Sequence, residues 1–477
     1  MGQEIRTARF RPRDFQAFES RLRTETELLA SWFDEKRFAG VGNVAGFELE
    51  AWLVGADCRP SAINEAFLRR IDSDWVSPEL SRFNVELNAA PQRLRGGALD
   101  TLYDELSGTW NCCCEVAREL DAELVMIGIL PSVREEELVL ANMSQMKRYR
   151  ALNEQVFRLR RGQPLRLDIL GREHLRTTHY DVMLESATTS FQIHLQVDAA
   201  RAARYYNASL IASAATVAIG ANSPYLFGAD LWDETRIPLF EQAVEVGGFN
   251  GAARGPLRRV GFGSGYVRDS LLECYRENLE HFPILLPMAF DTAPEQMDHL
   301  RLHNGTIWRW NRPLIGFEAD GRPHLRIEHR VVAGGPTIAD MIANCAFYYG
   351  LVEYLANMPE PPEALLDFSR VRDNFYAAAR NGLQAPVDWL EDRRGPLHAL
   401  VLEELLPLAW VGLQRLDLER GAVRRYLGII EARVRSRQNG AAWQRRYVAA
   451  HGRDMLSLTG AYVERQHSGI PVHEWGV

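Results

Sequence analysis

Ser190-Phe-Gln-Ile-His-Leu-Gln-Val-Asp198 alternates polar and apolar side chains without a break. Residues i and i+2 of a strand share a face, so Phe191, Ile193, Leu195 and Val197 line one face and Gln192, His194 and Gln196 the other. Other stretches read the same way. In Gly46–Val54, Glu48 and Glu50 oppose Phe47, Leu49 and Ala51. In Ser81–Ala89, Asn84, Glu86 and Asn88 oppose Phe83, Val85 and Leu87. In His324–Val332, Arg326, Glu328 and Arg330 oppose Leu325, Ile327 and Val331, with His329 on the structural side. In Gly305–Asn311, Arg309 and Asn311 alternate with Trp308 and Trp310.

A half-solvated antiparallel sheet gives a polar face for free, but such faces usually carry Lys, Thr and Ser. These carry four carboxylates, an imidazole and several guanidiniums. Gathered on one sheet, those charges would be costly with nothing between them. Carboxylate oxygens suit Mg²⁺ or Mn²⁺, which bridge protein carboxylates to substrate phosphates, and arginines supply the remaining positive charge on a transferring phosphoryl group. A zinc hydrolase would call for two or three His ligands; only His194 sits in such a row.

The rest of the chain frames this sheet. Helical spacing is predicted over 12–37, 99–120, 140–160 and 200–220, with a further short strand at 122–130 and mostly helix from about 340 to 435. The fold class is α+β with one mainly antiparallel sheet. One catalytic unit spans 1–477, its sheet-bearing core at about 40–340 and a helical C-terminal part at about 341–477. Residues 247–265 hold seven glycines, and a long glycine-rich loop suggests a lid.

Composition narrows the chemistry. The chain has 477 residues and a net charge of −8, which argues against a nucleic-acid coat. Lys36 and Lys147 are the only lysines, and neither lies in the Gly-rich turn of a phosphate-binding P-loop. Cys58, Cys112, Cys113, Cys114, Cys274 and Cys345 contain no C-x-x-C pair, so small buried hydrophobes in a reduced compartment are expected. The start shows no apolar signal core, and the most apolar stretch, 210–219, is too short to span a bilayer. A cytoplasmic protein with no membrane partner is the default, and a homodimer is the commonest oligomer.

GFELEAWL (46–53), FNVELNAAPQ (83–92), TTSFQIHLQVD (188–198), LHNGTIWRWNRPLIG (302–316), LRIEHRVV (325–332) and PVHEW (471–475) together resemble the glutamate–cysteine ligase family, most closely its bacterial carboxylate–amine ligase branch. The resemblance implies a glutamine-synthetase-like fold with a curved, mainly antiparallel sheet funnel. It implies ATP, two or three Mg²⁺ or Mn²⁺ ions, and an acyl phosphate that an amine attacks, normally glutamate's γ-carboxylate and cysteine's amine. It implies Glu48, Glu50, Glu86, His194 and Glu328 as metal ligands and Arg330 beside the transferred phosphate. Arg309 and Arg312 are expected at substrate carboxylate or phosphate, with Asn88, Gln192 and Gln196 as further substrate or nucleotide contacts. Tyr180, Met183, Glu185, Thr189 and Ser190 are further candidates for touching substrate, against core or loop roles. Rival readings are a guanidino phosphotransferase and a nucleotide-binding regulatory protein without turnover.

Overall fold

The alternating stretches assemble into one eight-stranded sheet. Its strands are β1 (Val44–Gly55), β2 (Val76–Pro78), β3 (Asn84–Asn88), β4 (Gln92–Arg93), β5 (Ala122–Val125), β6 (Phe191–Val197), β7 (Asn311–Phe317) and β8 (Pro323–His329). The order is β7-β8-β6-β1-β3-β2, with β4 and β5 also paired to β1, and every pairing is antiparallel. The sheet curls into a half-barrel. The computed structural model describes residue 5 and residues 9–246, 257–390 and 393–477.

The apolar faces do what their period predicts. Phe47, Leu49, Val85, Leu87, Phe191, Ile193, Leu195, Leu325 and Ile327 sink into one large core. Helices α1 (Pro12–Asp34), α2 (Ala98–Glu119), α3 (Ala202–Gly220) and α4 (Ile338–Ala356) add residues to that core. Both α3 and α4 are apolar nearly all round and buried nearly all round, as such helices must be. A second cluster, which includes Trp52, Phe83, Ile127 and Trp443, closes the polar side beyond Glu50. There Trp52 stacks on Phe83 with centroids 5.3 Å apart and its indole N–H donates to Thr189 Oγ1 at 2.9 Å.

Several expectations are corrected. The stretch 140–160 divides into a 3₁₀ turn, Leu140–Asn142, and a helix that starts only at Lys147. The hairpin Leu165–Leu170/His174–His179 carries no strong apolar alternation in its second strand. Gly305 still ends a helix, Asp298–Gly305, and the strand expected over 305–311 breaks in two. Trp308–Arg309 pairs in parallel with Val260–Gly261, while β7 runs on to Phe317 through Pro313. A proline is tolerated there because β7 is an edge strand. Of the glycine-rich stretch 247–265, residues 247–256 lie outside the described residues.

Among the described residues one helical run, Leu397–Arg415, 19 residues with a mean hydropathy of 1.2, is long and apolar enough to cross a membrane by length and composition. It packs on α4, and at the crossing a Cβ on Gly412 would lie 1.8 Å from the Gly350 carbonyl oxygen. Only glycine admits backbones that close.

Candidate active site

Register stacks the polar faces into rows across the half-barrel. Glu50 faces Glu86 on β3, and Glu48 faces Asn88 on one side and Gln192 on the other. Glu328 faces His194 on β6 and Arg312 on β7, and Arg326 faces Gln196. These are inevitable neighbours once the strands pair, because cross-strand partners share a face. The rows line a cavity of about 280 Å³ that also includes Glu79, Arg148, Tyr149, Glu185, Tyr275, Arg301 and Trp308.

Two trios of ligating atoms border this cavity, Glu48, Glu50, Glu79 and Glu328 lining it and His194 and Glu86 lying outside its lining. Glu48, His194 and Glu328 bring one ligand atom each within 4.8 Å of one another, and so do Glu50, Glu79 and Glu86. His194 Nε2 stands 3.7 Å from both Glu48 Oε1 and Glu328 Oε1, too long for a hydrogen bond. His194 Nε2, Glu48 Oε2, Glu79 Oε1 and Glu86 Oε2 are buried without any hydrogen-bond partner. Orphaned donors and acceptors of this kind are rare in folded proteins, and a divalent cation in each trio would satisfy them. The donor set, carboxylate oxygens with one imidazole, fits Mg²⁺ or Mn²⁺.

The electrostatics of the two trios differ. Burial pushes the Glu50 carboxyl up to about 7, with Glu79 adding to the rise and Arg330 opposing it. Burial, then Glu48 and Glu79, raises Glu86 well above the carboxylate range, and burial also raises Glu79. In the other trio, burial alone would raise Glu328, but Arg312 and Arg330 outweigh it and hold the carboxyl far below its ordinary value. Burial keeps His194 neutral by lowering it, against the pull of Glu48. Neutral imidazole is the ligating form.

Glu50 is aimed by its neighbours. Ser190 donates its backbone N–H (2.6 Å) and hydroxyl (3.0 Å) to Oε2, and Gln192 Nε2 donates to Oε1 at 2.8 Å. Arg330 Nη1 donates to Glu328 Oε2 at 3.0 Å and to the Gln192 side-chain oxygen. Gln192 therefore connects the arginine of one row to the carboxylate of the next.

The structure brings together Glu48, Glu50, Glu86, Gln192, His194, Arg312, Glu328 and Arg330. Asn88 sits on the same face and donates to Glu86 Oε1 at 3.0 Å. Gln196 lies further out, its amide held by Val41 O at 2.9 Å and Glu318 Oε1 at 2.8 Å. Arg309 is a correction: the break after it turns its guanidinium to Asn278 Oδ1 and Glu277 Oε1, each at 2.6 Å. It lines a separate cavity with Glu241 and Tyr376. Asn311 is a second correction, turned under the sheet to bond Ser213 and His329. His329 is core, stacked on Tyr348 and lowered by burial to about 3.

Glu79, Arg148 and Arg301 were missed, and Arg326, though read on its face, was not assigned a role. Glu79 precedes β3 in a stretch without periodicity, and Arg148 and Arg301 sit on helices whose pattern says only that one side is polar. Among the substrate candidates, Glu185 lines the cavity, Met183 is core, and Tyr180 is 73% exposed.

No curated protein matches the chain by sequence. In structure it is similar to the glutamate–cysteine ligase of Francisella tularensis in complex with AMP, at 12% identity, with 90% of each chain covered and a TM-score of 0.52; this likeness shows the fold. A bifunctional glutathione synthetase from Pasteurella multocida matches at 10% identity over 95% of this chain and 55% of that one, with a TM-score of 0.48. The model of glutamate–cysteine ligase family 2 matches residues 44–464, nearly the whole described fold. The chain belongs to glutamate–cysteine ligase family 2.

Proposed function

We propose that the protein is an ATP-dependent carboxylate–amine ligase that forms an amide through an acyl phosphate, with glutamate as the acid and cysteine as the amine to be tried first. The observation that carries the reading is the pair of ligand trios in adjoining rows of one cavity, with the guanidiniums of Arg312, Arg326 and Arg330 beside them. Divalent ions held by the trios would offset the triphosphate charge and polarise the reacting carboxylate.

The chain's own residues do the rest. Arg330, one row from Glu50 and bonded to Glu328, stands where charge develops on the transferred phosphoryl group, and such a preplaced guanidinium stabilises that charge without reorganising. Glu328, doubly bonded by arginines, stays ionised and fixed. Ser190 and Gln192 orient Glu50. Arg326 and Arg301, at the other end of the cavity from Glu50, would bind the phosphates that remain on the leaving diphosphate. The wall of Leu80, Tyr149, Leu152, Trp308 and Leu314 excludes water, which would otherwise hydrolyse an acyl phosphate.

The test is ADP release from MgATP with L-glutamate and a panel of amines including L-cysteine, products identified by mass spectrometry, with Glu328→Ala as control. Amide formation lost in the variant supports the reading. ADP release only with another acid or amine keeps the chemistry and changes the substrates. Phosphate found on a guanidine would replace it with a phosphotransferase, and tight MgATP binding without turnover on any pair would replace it with a nucleotide-binding regulator.

A further inference from the structure

One cavity carboxylate, Glu185, belongs to neither ligand trio. Glu185 lies in the short 3₁₀ turn Met183–Ala187, whose Met183, Leu184, Ser186 and Ala187 are all buried. That packing leaves Glu185 alone turned to the cavity it lines. Glu185 is absent from both ligand trios, and among the described residues no ion pair or side-chain hydrogen bond holds its carboxylate. Burial, then the like charges of Glu79 and Glu50, raise its carboxyl well above the ordinary range, and Arg330 opposes the rise. Arg330 is already committed to Glu328 at 3.0 Å and to Gln192. A carboxylate in a water-poor cavity beside two others is unfavourable unless a cation joins it.

One divalent ion would not cancel the three carboxylates of the Glu50–Glu79–Glu86 trio, so the side of the cavity where Glu185 lies stays net negative and suits a cationic substrate group. Glu185 lies within electrostatic reach of Arg330 and Glu50, the place at which a carboxyl group would be activated. Arg326 and Arg301 crowd the opposite end with positive charge. An amine that attacks the activated carboxyl has to approach from the side away from the nucleotide phosphates, which is the Glu185 side. Here the wall includes Leu80, Tyr149 and Leu152, which would narrow the approach around a primary ammonium, and Arg148, whose guanidinium donates to the Tyr149 hydroxyl at 2.6 Å.

We propose that Glu185 is the specificity residue for the amine substrate, holding its ammonium head beside the reacting carboxyl and accepting the proton whose loss frees the nitrogen to attack, so that the protein selects primary amines that are cationic at neutral pH. This rests on the acyl-phosphate reading above. The experiment separates the two. Hydroxylamine is mostly neutral near pH 7.5 and traps an acyl phosphate as a hydroxamate, so it reports activation of the acid without needing an ammonium site. Wild-type protein that forms no hydroxamate and no ADP with any acid tested overturns the ligase reading itself.

Given hydroxamate formation, Glu185→Gln is expected to lower kcat/KM for cysteine and for simple alkylamines by about tenfold to a hundredfold more than for hydroxylamine, the range for a lost hydrogen bond to a charged group. Equal losses for all acceptors overturn the proposal, and so does a rise in the KM of the acid with the acceptor ratio unmoved, which would give Glu185 to the acid's own ammonium. A second measurement needs no variant. In wild-type protein, alkylammonium ions should inhibit hydroxamate formation in competition with hydroxylamine, and isosteric alcohols should not. Equal inhibition by both would overturn the assignment.

Discussion

Arg312 and Glu328 face each other across β7 and β8 in a two-pronged ion pair, Nε to Oε2 at 2.8 Å and Nη2 to Oε1 at 3.0 Å. Both are buried, and Arg330 adds a third bond to the same carboxylate. Bidentate pairs of this kind fix geometry as well as charge. The pair sets the position of one oxygen-bearing side of the Glu48–His194–Glu328 trio and accounts for the depressed Glu328 carboxyl.

Arg312→Met is therefore expected to destabilise the protein by about 3 kcal/mol, the low end for breaking a buried pair, because Arg330 still partners the carboxylate. The double variant R312M/E328M should recover most of that loss in urea unfolding while remaining without ligase turnover. A double variant no more stable than R312M would show that the pair is not what the stability reports.

Removal of one trio carboxylate should raise stability and abolish cation response together. Glu86 is fully buried and is pushed up by burial and by Glu48 and Glu79. Glu86→Gln removes that strain, so the metal-free variant should melt a few degrees above wild type at pH 8. Mn²⁺ should stabilise wild type and not the variant, as read by thermal shift and by electron paramagnetic resonance titration of bound Mn²⁺.

The pH dependence follows from Glu50. Its carboxyl is raised from 4.5 to about 7 in the folded protein. A group raised on folding contributes stability that is present below its unfolded value and is lost as pH rises through the folded one. Metal-free wild type should thus lose stability relative to Glu50→Gln between about pH 5 and pH 8. The comparison with Glu50→Gln isolates the effect, since His194 and His329, lowered by burial, act in the opposite sense on acidification. Mg²⁺, which binds the ionised carboxylate, should raise the melting temperature more at pH 8 than at pH 5.5. Parallel curves for the two proteins would refute the assignment.

Arg326 has its Nε buried without a partner and lines the cavity beyond the first trio. Arg326→Met should raise the KM for ATP about tenfold or more, from loss of a charged hydrogen bond, with a smaller effect on the KM of the acid. A change confined to the acid would move Arg326 to the acid site.

Arg309 makes the contrasting case. Its partners are Glu277 and Asn278, away from the polar rows. Arg309→Met should lower stability by about 1–3 kcal/mol through the acceptors it leaves unsatisfied, with kcat and both KM values unchanged. A selective loss of turnover would return it to the site.

The Glu48–His194–Glu328 trio on β1, β6 and β8 was legible residue by residue because a strand has a period of two. Once Phe191, Ile193, Leu195 and Val197 turn to the apolar core, Gln192, His194 and Gln196 must turn to the opposite face, although the fold buries both faces. The same logic gave Glu48 with Glu50, and Arg326 with Glu328 and Arg330. It failed where the strand itself failed. Arg309 and Asn311 look like one face in the sequence, but the chain leaves one pairing for another between them, with Trp310 at the break buried and donating to Glu241 at 2.9 Å. No local property of WRWN announces that exchange of partners.

By itself, then, the sequence determined which side chains share a face on each strand, that those faces are polar where a buried sheet should be apolar, and the family. Tertiary structure alone decided which rows adjoin, that Glu79 completes the Glu50–Glu86 trio, that Glu185 faces the cavity without a partner and that Arg309 does not face it. The division is physical. Facing follows from backbone period, which is local, whereas adjacency follows from register and from how loops and helices close over the sheet, which depend on burying the whole apolar surface at once.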